Sequence, residues 1–187
     1  MNIDTKYLDN FETKLQNDLV RLCTSYNQLD GILLASDDLS NHWHNLLAPE
    51  YVADAVEQIQ DYPIVSVAWA SYLGMAVAYA WDTDWATFSK APYQAFYGER
   101  GFDDMDEHIV RDLLEIPLDS EEAKELEAMI RRCGEAAVSH IRHEEIEPQS
   151  PMAFHLFARA VKVMFHIGAA LQLKRLGYKL EKVELPN

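Results

Sequence analysis

In the stretch HLFARAVKVMFH, four basic or titratable side chains, His155, Arg159, Lys162 and His166, recur at spacings of four, three and four. At about 100° per residue they fall within a helical sector of roughly 60°. They form a narrow polar stripe on an otherwise apolar rod. Imidazoles so placed can ligate a metal or carry a proton, and a guanidinium can grip a carboxylate or phosphate through two hydrogen bonds. Such a stripe is either the wet edge of a bundle helix or one wall of a site.

The preceding helix supplies possible partners. Leu126, Ile130, Cys133 and Ala137 define its apolar face, and the helical period carries that face on to His140 and Glu144. A short break at PQSP predicts that the two helices fold back antiparallel, returning His155 and Arg159 to the level of His140 and Glu144. These four residues are the candidate ligand-binding cluster, with His143 at its edge; Lys162 and His166 are expected nearer the surface or a neighbouring subunit. Three kinds of chemistry suit the cluster. Glu144 can simply pair with Arg159 or a histidine; Arg159, Lys162 and the histidines can neutralise a small anionic ligand; or two histidines and a carboxylate can hold zinc or iron. The paired Glu-x-x-His motifs of di-iron bundles are absent, so no metal or cofactor is assigned.

Other polar constellations read as structural. His42 and His44, two apart, share no helical face and are expected to cap or pack beside Trp43. Asp84, just before WATF, suits an N-cap better than a cation site shared with Asp82. The acidic run DDMDEH lacks the glycine and alternating spacing of a calcium loop and is capped by Asp103 or Asp104. Cys23 and Cys133 lie on apolar faces of separate helices as small hydrophobes. There is no nucleophile elbow and no phosphate-cradling glycine loop.

The elements that must position these residues are helical throughout. Leu8, Phe11, Leu15, Leu19, Leu22, Tyr26 and Leu29 recur by threes and fours, predicting a first helix from about Asp4 to Asp30, stopped by Gly31. Ser36, Asp37, Ser40 and Asn41 can cap short pieces, and Pro49 opens a further helix. The segment from Tyr62 to Trp81 carries no charge and is long enough to cross a bilayer, but its Asp flanks and Ala, Ser and Gly content favour a buried central helix. Its row Ser66, Ala70, Gly74 and Ala78 should admit a close helix partner. Tyr93, Phe96, Tyr97 and Phe102 crowd a turn region suited to a pocket rim or interface. A long helix capped by Asp119 or Ser120 and running to about Glu147, and a last one capped by Ser150 with Pro151 at its first position and ended by Gly177, complete the bundle. The tail from Tyr178 reads as an edge strand or docked arm.

The expectation is one all-α domain over residues 1–187, with 178–187 as a tail, in which about five main helices surround the apolar one. With 31 acidic and 16 basic residues the net charge is -15, which repels nucleic acid and anionic lipid. The opening residues lack a secretory signal, so a cytoplasmic protein is expected, with no membrane partner. The leading functional reading is a non-enzymatic bundle that self-associates, as a homodimer, or binds a protein partner. The alternatives are a binder of a small anionic ligand and a metal-dependent enzyme using the His/Glu cluster.

Overall fold

Asp4, Ser120 and Ser150 each accept a hydrogen bond from the backbone N–H three residues on, and so start three long helices. In the computed structural model, which describes residues 3–179, these are α1 (Thr5–Ser25), α6 (Glu121–His143) and α7 (Pro151–Arg175). A fourth, α4 (Pro63–Phe88), begins with proline at its first position. Short helices α2 (Asp37–His42), α3 (Ala48–Val56) and α5 (Met105–Glu107) connect them. The architecture is all-α and single-domain, with six α-helices of six or more residues among the described residues rather than about five.

The uncharged segment forms α4 from its first residue to Trp81, and it lies against α7. A Cβ on Gly74 would stand 2.0 Å from the Phe165 carbonyl oxygen, and one on Gly168 would stand 1.8 Å from that of Ser71. The two backbones are therefore in contact, and only glycine fits at either point. Ser71 Oγ donates to the Met164 carbonyl at 2.9 Å across the same contact. Residue matches such as Ser71 with Gly168 and Asp82 with Tyr178 rise together along both chains, so α4 and α7 run parallel. α6 runs against both, and Gly134 gives the start of α4 its approach at Ile64 and Ala68. Both α4 and α7 are long and apolar enough to cross a membrane, yet 72% and 78% of their most apolar windows are buried inside the bundle.

The close helix partner expected for the small-residue row is thus α7 of the same chain. The aromatic turn is likewise used internally. Tyr93 and Phe96 are buried, Tyr93 packs edge-on against Tyr51 at 5.3 Å, and Tyr97 donates to its hydroxyl at 2.9 Å. Tyr97 and Phe102 are half-buried.

Several helix ends differ from expectation for local reasons. α1 stops at Ser25 because Asn27 takes the left-handed conformation (φ 59), and the N–H of Gln28 closes on the Cys23 carbonyl at 2.9 Å. Pro49 stands in the first turn of α3, as expected, but the helix starts there without a break: the wider π turn Trp43–Leu47 runs directly into it. α6 ends at His143, with Glu145 at φ 51. Asp84 breaks α4 and caps the last turn through Thr87 N–H at 3.3 Å, and Gly177 (φ 91) ends α7, as expected for both. The edge strand or arm expected for the tail lies almost wholly outside the described residues.

Candidate functional site

α1 decides where the candidate cluster goes. Its apolar seam packs against α6 and α7 together, leaving one polar flank (Tyr7, Asp18) toward α6 and the other (Asp9, Glu12, Gln16) toward α7. His140 Nε2 meets Asp18 Oδ2 at 2.6 Å, and the Tyr7 hydroxyl donates to Glu144. Burial and that carboxylate push the Tyr7 phenol up to about 12. Arg159 binds Asp9 at 2.8 Å and also Glu12, whose other oxygen takes Lys162 Nζ at 2.7 Å. His155 stands edge-on to Phe154 at 5.8 Å, and His143 Nδ1 donates to the Ser139 carbonyl at 2.7 Å.

The expected convergence of His140, Glu144, His155 and Arg159 on one another is therefore not what the fold produces. Each of the three that is hydrogen-bonded reaches α1 instead, because α1 fills the side of the α6–α7 hairpin on which they project. Among the described residues no three His, Cys, Asp or Glu side chains gather as a metal would require, so the His/Glu reading has no assembled donor set.

The second half of the stripe, Lys162 and His166, forms one wall of a cleft of about 370 Å³ between α1, α2 and α7, lined also by Glu12, Gln16, Ser40 and His44. His166, expected near the surface, is half-buried under α2. Its Nδ1 donates to the Lys162 carbonyl at 2.9 Å, which leaves Nε2 to accept from Ser40 Oγ at 3.1 Å. Burial pushes its pKa down, so the imidazole is neutral at neutral pH. A serine hydroxyl on a neutral imidazole can pass a proton, but the groups best placed to hold an oxyanion beside it are engaged. The Ser40 N–H bonds the Ser36 carbonyl at 3.1 Å, and Lys162 is held by Glu12. The pair joins α2 to α7, a contact that 126 residues of separation hide from sequence reasoning.

A second concavity is larger and opposite in character. At the end where α6 turns into α7, a groove of about 830 Å³ opens between the end of α3, Pro63, the last turns of α6 and the first turns of α7. Ile59, Val138, Ile141, Ile146, Phe154 and Phe157 give it an apolar floor, and Phe154 is 42% exposed. Arg142 stands at its edge with no ion-pair partner among the described residues. The signal in the sequence was the run of Ile141, Ile146, Phe154 and Phe157 across a break, a place where apolar side chains are not needed for a helix seam. No family model, curated protein or solved structure matches the chain.

Proposed function

We propose that this is a non-enzymatic binding protein whose ligand is a small amphiphilic anion, an aliphatic chain ending in a carboxylate or similar group, held in the groove at the α6–α7 turn. The observation that carries the reading is the groove itself. Its volume lies in the range of small-molecule sites, its lining is predominantly apolar, and its charged lining residues are Glu57, from the α3 side, and Arg142, from α6, whose guanidinium has no ion-pair partner among the described residues. An aliphatic body covers Ile59, Ile141 and Phe154, which otherwise stay partly in water, and Arg142 offers its two-pronged grip to the head. The cytoplasm suits this reading, since the buried thiols of Cys23 and Cys133, 3.7 Å apart, belong to a reducing compartment.

Titration calorimetry with decanoate, kept below its micellar range, tests the proposal. Saturable one-site binding is expected, with decanol bound more weakly. Arg142→Glu should weaken decanoate at least tenfold, about 1.4 kcal/mol, and Phe154→Asp should remove binding while the helical circular dichroism is kept. Absence of saturable binding, or equal affinity in Arg142→Glu, would exclude the groove as the site.

A further inference from the structure

A separate pocket, independent of that groove's ligand, lies on the other side of Pro63. Gly134 lets the first turn of α4 sit against α6. Below that contact the helices part over Ile130, Arg131 and Glu127, leaving a cavity of about 270 Å³. Two of its walls are aromatic rings at right angles, Trp69 and Tyr72, with centroids 5.8 Å apart and planes at 80°. Trp69 is fixed in place, because its indole N–H donates to the Phe102 carbonyl at 3.0 Å and its ring stacks on Phe102. Tyr62, 60% exposed, stands at the mouth.

The charges around this cavity do not cancel. Arg131 Nε donates to Glu127 at 3.0 Å, so those two neutralise each other. Asp106, half-buried in the wall, has no cationic partner among the described residues; the charges of its own segment that act on it are Asp104 and Glu107, both acidic, while His108 and Arg111 are paired with Asp112. From α4 it faces the Tyr72 phenol, and from α6 the compensated Glu127–Arg131 pair. Aromatic faces are negative at their centres, so rings and carboxylate favour the same kind of guest. The net charge of -15 over the whole chain adds to that field.

We infer that this pocket binds an organic monocation, an alkylated ammonium group whose methyl surface rests on Trp69, Tyr72 and Tyr62 while Asp106 neutralises its charge. Burial without a counter-ion pushes the Asp106 carboxyl up to about 6, and a bound cation relieves that cost. The guest therefore needs Asp106 ionised, and binding weakens as pH falls below about 6.

Choline and its uncharged isostere 3,3-dimethylbutan-1-ol are the probes, because they share a shape and differ in charge. Calorimetry at pH 7.5 should show saturable millimolar or tighter binding of choline, and at least tenfold weaker binding of the alcohol. At pH 5 the affinity for choline should fall several-fold. Asp106→Asn should weaken choline at least tenfold, whereas Asp103→Asn, which removes an exposed acid from the same segment, should not. Equal binding of the two probes by the unaltered protein, no saturation with choline, or equal losses in both variants would overturn the inference. The first two results need no variant to fold, and none of them bears on decanoate in the other groove.

Discussion

Arg159 and Lys162 share one acceptor and differ in what each gains from it. Arg159 spans Asp9 and Glu12, with its side chain 24% exposed and that of Glu12 only 16%, whereas Lys162, 42% exposed, meets Glu12 alone. A planar guanidinium serving two carboxylates loses less freedom per bond than a flexible ammonium serving one. Arg159→Ala should therefore cost about 1–2 kcal/mol and Lys162→Ala less than about 1 kcal/mol, since exposed pairs are weak and partly buried ones leave a carboxylate unpaired when broken. Urea denaturation at neutral pH distinguishes them. Equal losses would mean that Glu12 is satisfied by either cation alone. The basic stripe was plain in the sequence, but its partners were sought on α6, the neighbour in sequence, whereas the nearest carboxylates belong to a helix some 150 residues away.

At the level of the helices, the seam of α1 was legible because threes and fours of Leu and Phe have one reading. Its flanks were legible too: Tyr7 and Asp18 on one side of that seam, and Asp9, Glu12 and Gln16 on the other, follow from the same 100° step. What the spacing could not say is which helix each flank would meet. The small-residue row on α4 predicted a close partner correctly, but Gly168 on α7 is the complementary signal, and only the two together identify the contact as internal. Helix ends were the least legible. Asn27 replaces glycine in closing α1, and a π turn joins α2 to the helix that Pro49 was expected to open, so no gap separates the two. The α4–α7 contact leaves no room for even a methyl group, so Gly74→Ala and Gly168→Ala should each destabilise by about 3 kcal/mol or more, despite the better helix propensity of alanine. Ala169→Gly, on the same helix, should cost less, about 2 kcal/mol, the propensity plus one buried methyl. Thermal melts of the three variants decide this, and a raised midpoint for Gly74→Ala would mean that the helices can separate at little cost.

Over the whole molecule, apolar contact joins α1, α4, α6 and α7, with Leu39 of α2 buried against them, and polar contacts rim the places where α1 and α2 meet α6 and α7. Asp9, Glu12 and Asp18 of α1 reach Arg159, Lys162 and His140, and Ser40 of α2 reaches His166. Of these contacts, the one between α2 and α7 responds to pH through His166. His166 makes this testable because burial holds its folded pKa below the 6.5 of an unfolded chain. As pH falls through about 6.5, the unfolded chain takes up a proton on this ring that the folded chain refuses. Stability contributed by the neutral ring is therefore full above that value and is lost below it. His42, also depressed by burial, acts in the same direction, whereas Asp106, raised to about 6, adds stability as pH falls toward 4. The total pH profile mixes these effects, but a comparison with His166→Asn cancels the groups common to both proteins. At pH 7.5 the variant should be less stable than the parent, having lost the bonds to Ser40 and to the Lys162 carbonyl. By pH 5.5 the gap should have narrowed, because the parent then bears the cost of keeping its imidazole neutral. Urea midpoints of the two proteins across that range give the slope directly. A gap that widens on acidification would mean that His166 is charged in the folded state, with Glu12 rather than Ser40 as its effective partner.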